Sequence, residues 1–244
     1  MTVIRAYVCF DDTDTLDCGR GTGKLVRWFC EEQLPDGVTV WGVARQQLLL
    51  DPAIPYTSHN SSVCAILDVP DASVADELAI RAAEHVRRHF VEGSDPGVCV
   101  ACEGDEALPR LMEFGRMAAR AVTTQDAARE AARGAHLAGL GGTNDGIIGA
   151  AAGVGLSAWG WAGRLVEFGR LREWPADVAV RELEAAGILV LPVERNVATP
   201  KLDDVVRTNG WLRPNLWGGR AAVPIVPESP GVWRSLPVKQ PRHD

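Results

Sequence analysis

Apolar residues run in short unbroken bursts through the first part of the chain, and between the bursts their spacing widens to one every three or four positions. Residues 3–10, Val-Ile-Arg-Ala-Tyr-Val-Cys-Phe, make a β-rich run, and after a glycine-bearing turn Leu25, Val26, Phe29 and Cys30 recur at helical spacing within 24–34. A second strand is predicted over 38–50, broken by Asp51-Pro52 and Ile54-Pro55, and a third over 63–69. Val74, Leu78, Ala82, Val86 and Phe90 then recur every four residues behind Asp71 and Ser73 as caps, which predicts an amphipathic helix ending at Gly93. A strand over 97–103 follows, then Ala-rich helices over 106–120 and 124–136 and a small-residue helix from 147 to about 159. Strands at 164–172 and 188–193 flank a short helix near 177–186. No repeat is present. The alternation without a fixed unit predicts an α/β or α+β class, a mixed sheet flanked by helices, over residues 1–198. The Pro-, Gly- and Trp-rich stretch over 199–244 reads as an irregular C-terminal extension packed on that unit.

Composition narrows the function. With 46% hydrophobic residues in 244 a full core can form, but 32 acidic against 25 basic residues, net −7, opposes a chain that wraps nucleic acid unaided. No tight autonomous binding of tRNA is expected, unless Arg87, Arg88, Arg110, Arg116 and Arg120 gather into a strip that the net charge conceals. No segment approaches the roughly 20 apolar residues of a membrane span, and the N-terminus leads straight into a strand, so no membrane and a cytoplasmic location are expected. Six cysteines are too sparse for a disulfide scaffold, and Cys9, Cys30 and Cys64 sit in apolar runs. Cys99-Val-Ala-Cys102 has metal-site spacing but lies in a strand pattern that sends its two thiols to opposite faces. Trp211, Trp217 and Trp233 read as an aromatic tail lying across its own domain, with a homo-oligomer or protein-partner interface as the alternative.

The chemistry concentrates at the end of the first strand. Asp11, Asp12 and Asp14 fall within four residues, and carboxylates so close repel unless a cation neutralises them. Magnesium with a nucleotide phosphate is the natural partner, and Gly19, Gly21 and Gly23 let backbone amides approach that phosphate. The plain alternative is a solvated acidic turn. Gly23-Lys24 is followed by Leu25 and Cys18 stands where a first glycine is needed, so this is not a Walker A loop. An aspartyl-phosphate enzyme reading Asp12-Thr13-Asp14 is weakened by Leu16, which stands where a hydroxyl is expected. The loop over 54–62 gathers hydroxyl, imidazole and amide groups, His59 and Asn60 among them, and is a candidate pocket lining. Gly141-Gly142-Thr143-Asn144-Asp145-Gly146 precedes an apolar helix with Asn144 or Asp145 as cap, which offers a second anion site. His85 and His89, one turn apart between arginines, read as a solvated helix face.

Phe10-Asp11-Asp12-Thr13-Asp14 with Gly21-Thr22, Ile54-Pro55-Tyr56 with His59-Asn60, Asp95-Pro96-Gly97, and Gly146-Ile147-Ile148-Gly149-Ala150 with Gly155 resemble one family in order and spacing. It is the archaeal tRNA(Ile) agmatinylcytidine synthetase, and the resemblance covers its N-terminal kinase domain over about 4–172. The resemblance implies ATP and Mg2+ as cofactors, phosphorylation of a loop threonine that Thr22 matches, and phosphorylation of a cytidine oxygen before an amine displaces the phosphate. It implies Asp11, Asp12 and Asp14 as metal ligands and Asp12 with Thr22 as the catalytic pair. Thr13, Gly19, Gly21, Gly23, Lys24, His59, Asn60, Asn144, Asp145 and Gly146 would contact the nucleotide. Two motifs depart from the pattern, at Ser58-His59-Asn60 and Thr143-Asn144-Asp145-Gly146, and each departure removes an arginine. The family's agmatine-binding, oligonucleotide-binding and zinc-ribbon modules are not met before Asp244, so the chain reads as a stand-alone relative. The expected function is an ATP- and Mg-dependent phosphotransferase with nucleotide as partner and an unknown phosphate acceptor. The alternative is a non-catalytic nucleotide-binding or partner-regulated module.

Overall fold

The apolar run at the N-terminus becomes β1 (Ile4–Asp11), and it is apolar at successive positions because both of its faces are covered. Ala6, Val8 and Phe10 point into one cluster and Tyr7 and Cys9 into another on the far side. The computed structural model describes residues 3–54 and 60–236. After β1 come α1 (Thr22–Glu32), β2 (Thr39–Gln47), β3 (Ser61–Val69), α2 (Ala75–His89) and β4 (Gly97–Cys102). These six elements form a split β-α-β unit: β1 pairs antiparallel with both β3 and β4, Cys9 standing opposite Cys64 and Cys99, and β2 lies outside β3. Cys99 and Cys102 do go to opposite faces.

One face of this sheet carries α1 and α2, packed through Leu25, Val26, Phe29, Leu78, Ala82 and Val86. The other carries α3 (Leu108–Ala118), α4 (Gln125–Ala131) and α5 (Gly146–Trp159). The helix expected over 124–136 stops early, and β5 (His136–Gly139) uses the remainder to extend the sheet beside β4. α5 is buried on nearly every side because it is held between the strands and α3. Its glycines make that possible. A Cβ on Gly153 would stand 2.3 Å from Cys9 Sγ, and one on Gly155 would stand 1.8 Å from the Leu111 carbonyl oxygen of α3.

The last third continues the sheet. β6 (Arg164–Glu167) pairs with β2, and β7 (Asp177–Ala179), α6 (Val180–Ala185) and β8 (Ile188–Pro192) follow. The stretch after Thr199 holds β9 (Val205–Arg207), β10 (Asn215–Trp217), β11 (Arg220–Ser229) and β12 (Val232–Ser235). Among the described residues the strands join one twelve-stranded mixed sheet in the order β5-β4-β1-β3-β2-β6-β10-β11-β12-β9-β7, with β8 parallel to β11. Trp233 is buried, and its indole N–H donates to Asp204 Oδ2 at 2.9 Å. No helix among the described residues is long and apolar enough to cross a membrane.

Candidate active site

The acidic turn is held open by its backbone. Asp12 has φ +49°, a left-handed conformation that aspartate tolerates better than most residues, and it turns the chain off the end of β1 into the loop before α1. Thr13, fully buried, anchors that loop: its carbonyl accepts from the Val91 amide at 3.1 Å and its hydroxyl donates to Thr22 Oγ1 at 3.1 Å. Thr22 opens α1. Its amide and its hydroxyl both donate to Asp14 Oδ1, at 2.9 and 2.7 Å, so the carboxylate spans the loop and fixes the helix N-terminus. Both bonds fall on Oδ1, leaving Oδ2 for another partner.

Asp11 and Asp12 each gain only a backbone hydrogen bond, from Asp12 and Asp95 respectively, and it does not offset what burial and neighbouring charge cost them. Burial first, and the Asp12 charge second, push the Asp11 carboxyl up to about 8. Burial first, and Asp95 second, raise Asp12 to about 6, with Asp14 and Asp145 adding to it. Asp95 and Asp145 come to the turn because α5 begins against the start of β4: the Gly146 amide donates to the Asp95 carbonyl at 2.9 Å, and a Cβ on Gly97 would stand 2.2 Å from the Gly146 carbonyl carbon. The Asp95 carboxylate accepts from the Thr143 amide and hydroxyl at 2.7 and 2.8 Å, and Asp145 accepts from Gln125 at 2.6 Å. Among the described residues no group of three His, Cys, Asp or Glu side chains is set to hold a metal ion by itself. The three aspartates of the turn thus line one cleft without converging.

That cleft has a volume of about 1140 Å³ and takes in Asp11, Asp12, Asp14, Gly21, Thr22, Gly23, Asn60, Asp145 and Gly146 of the residues singled out in the sequence. Thr13, Gly19, Lys24 and Asn144 do not line it: Thr13 is buried beneath, Lys24 sits over the Trp28 ring, and Asn144 packs against Gly139. His59 lies outside the described residues. Asn60 spends its side-chain amide on the Leu49 carbonyl at 2.7 Å. Neither Asn144 nor Asp145 caps α5 with its side chain; the first amides of that helix, Gly146, Ile147 and Ile148, already donate to the carbonyls of Asp95, Asn144 and Asp145. Leu48, Ala118, Val122 and Ile148 give the cleft an apolar surface.

Sequence reasoning missed the opposite end. Arg27, Arg45, Arg172 and Arg213 line the same cleft, brought there by four separate segments. Arg27 and Arg172 share Glu167, at 3.5 and 2.6 Å, and Arg45 Nε donates to Ser61 Oγ at 2.9 Å. Asp95 is a further residue of the site, and its place in the Asp-Pro-Gly motif is the signal in the sequence that points to it. His85 corrects another reading: its ring is 1% exposed, with Nε2–H donating to the Leu25 carbonyl at 3.0 Å, because α2 packs this face on α1 rather than on solvent. The supposed arginine strip does not assemble, since Arg87 and Arg88 ride on α2 and Arg110 and Arg116 on α3, across the sheet.

No protein-family model matches this sequence, and no curated protein matches it. Among solved structures it is similar to the complex of TiaS, a tRNA agmatidine synthetase, with its isoleucine tRNA and ATP, at 28% identity and a TM-score of 0.53. It is likewise similar to a tRNA fluorescent labeling enzyme, at 29% and 0.51, and to the TiaS complex with the same tRNA, AMPCPP and agmatine, at 27% and 0.51. Each match covers 62% of this chain and 36% of the other, so this chain spans little more than a third of the length of those enzymes. The resemblance read from the short motifs therefore holds at the level of three-dimensional structure: the chain shares the fold of a tRNA-modifying enzyme.

Proposed function

We propose that the cleft is the active site of an ATP- and magnesium-dependent phosphotransferase. The observation that carries this reading is the Thr22 hydroxyl, held at 2.7 Å on a carboxylate at the mouth of α1. A hydroxyl in that position has a base for its proton in Asp14, and a phosphate placed on it sits at a helix N-terminus, where anions are favoured. Magnesium fits the residues present, because Asp11 and Asp12 are carboxyls whose charge burial and neighbours disfavour, and Asp14 Oδ2 is left over from the bonds to Thr22. When bound, the ion supplies neutralisation of phosphate oxygens. Asp11, Asp12 and Asp14 would hold it only together with phosphate oxygens of the nucleotide, since the three do not close a ligand set by themselves; Gly21 and Gly23 leave room for the phosphates to approach the backbone, and Leu48, Val122 and Ile148 offer a surface for a base.

The solved relatives were captured with tRNA, ATP and an ATP analogue, which makes a tRNA nucleoside the first acceptor to test here, with any further RNA contacts supplied by a partner. The test is incubation with γ-labelled ATP and magnesium followed by peptide mapping. Label is expected on Thr22 and lost in Asp14→Asn. Nucleotide binding with no label anywhere would replace the phosphotransferase by a nucleotide-binding regulatory module.

A further inference from the structure

The arginines at the far end of the cleft have no counterpart in the acidic chemistry just described. Arg45 projects from β2, directly opposite Arg164 of β6, and Arg213 precedes β10, whose Asn215 is paired with the same Arg164. β2 and the segment leading into β10 thus bring Arg45 and Arg213 to the cleft wall, and Arg172 joins them from the loop after β6, while Arg164 stays exposed outside the cleft. Gathering like charges costs energy unless counter-ions share the space. Glu167 is one such counter-ion, pairing with Arg172 at 2.6 Å and Arg27 at 3.5 Å. Among the described residues no carboxylate pairs with Arg45 or Arg213, whose hydrogen bonds go to Ser61 Oγ at 2.9 Å and the Leu212 carbonyl at 2.8 Å. Both are half-buried, and their charged forms are disfavoured, Arg45 by burial and then Arg164, Arg213 by burial and then Arg172. Glu167 pairs with two of these four guanidinium groups, which leaves a local positive excess on a cleft that the aspartates also line.

We propose that Arg45, Arg213, Arg172 and Arg27 form a second anion seat in this cleft, one that takes a phosphate group carrying no metal, with Glu167 as the built-in competitor that moderates its affinity. Guanidinium groups match phosphate oxygens in pairs, and half-burial strengthens those bonds. The seat rests on the proposed phosphotransfer reading only for its purpose, which is to hold a phosphate of the acceptor while the donor nucleotide occupies the aspartate end.

The probe is inorganic pyrophosphate titrated by calorimetry in the presence of EDTA, where the aspartate end repels it. Wild type is expected to bind, Arg45→Gln and Arg213→Gln to weaken binding at least tenfold, and Arg87→Gln, at an exposed arginine of α2 outside the cleft, to leave it within about twofold. Glu167→Gln is the variant that a merely structural role cannot imitate, since removing the competitor should tighten pyrophosphate severalfold. No binding by wild type, or equal binding by both arginine variants and Glu167→Gln, overturns the seat. Two further titrations identify the phosphate it serves. An acceptor seat lowers the affinity of Arg45→Gln for a trinucleotide and spares magnesium–ATP; loss of magnesium–ATP affinity instead assigns the seat to the donor and overturns its role for the acceptor. If magnesium–ATP fails to bind any form while pyrophosphate behaves as stated, the phosphotransferase reading falls and the anion seat stands.

Discussion

Asp12→Asn separates what the acidic turn does for the fold from what it does for a ligand. The substitution keeps the shape of the side chain, and asparagine accepts the φ of +49° at this position at least as well as aspartate. It removes a charge that burial and Asp95 disfavour, raising the carboxyl from 3.8 to about 6. Such a rise corresponds to roughly 3 kcal/mol against the charged form, and the side chain's contact with solvent reduces this to about 1–2 kcal/mol. The sign follows from where the proton is held. Below pH 3.8 the group is neutral folded and unfolded and contributes nothing; the penalty grows as the pH rises through 3.8 to 6 and is full above it. The variant should therefore melt about 2–6 °C higher than wild type at pH 8, and the gap should close as the pH falls toward 4. Magnesium should raise the melting temperature of wild type at pH 8 and leave the variant nearly unmoved. Thermal melts at the two pH values, with and without magnesium, measure all of this. A variant less stable than wild type at pH 8, or a gain that does not change with pH, would refute the account of the turn as a strained carboxylate cluster awaiting a cation.

Other expectations are simpler to check. His85 is kept neutral by burial, its folded value lying below the ordinary 6.5, so stability should be full above pH 6.5 and fall as the pH drops below it; His85→Gln should flatten that limb of a melting-temperature profile. Truncation after Glu194 removes the partners of β6 and β8 together with buried Val206, Leu216, Ile225 and Trp233. At roughly 2–5 kcal/mol for each large side chain, the cooperative melt should be lost, whereas an unchanged melt with lost self-association would make the tail an interface. Titration of tRNA at two salt concentrations should show no tight binding by this chain alone, since Arg87 and Arg88 lie across the sheet from Arg110 and Arg116; sub-micromolar affinity falling steeply with salt would reverse that expectation.

The elements that sequence periodicity identified are those whose burial is one-sided or complete. α2 declares itself through Leu78, Ala82 and Val86 on one face, and β4 through an apolar run buried on both sides. The tail gave no comparable signal. β11 carries Pro224 and Pro227 inside the strand, and β9, β10 and β12 are three or four residues long, too short for an alternation to show. Their stability comes from neighbours: β11 is paired with β8, β10 and β12, and none of those pairings is written in local sequence. The boundary errors have the same origin, since β5 is a strand because β4 offers it an edge, where the Ala-rich sequence preceding it favours helix.

The two ends of the cleft differ in legibility for a reason of topology. Asp11, Asp12 and Asp14 are neighbours in the chain, so their mutual repulsion could be inferred before any fold was known. Arg27, Arg45, Arg172 and Arg213 are spread over most of the chain's length and meet only because β6 lies between β2 and β10. Read singly, each is an ordinary surface arginine. The same adjacency bears on the two family motifs that lack an arginine here, around Ser58-His59-Asn60 and Thr143-Asn144-Asp145: motif comparison registers the loss of two cations and predicts a cleft poorer in positive charge. The fold supplies four from elsewhere, on a wall to which the last third of the chain contributes Arg172 and Arg213. On the proposed reading the cleft keeps a capacity for anions without those two arginines, and a substrate that places one phosphate near the aspartates and a second near the arginines meets charge of the needed sign at both once a cation joins the first.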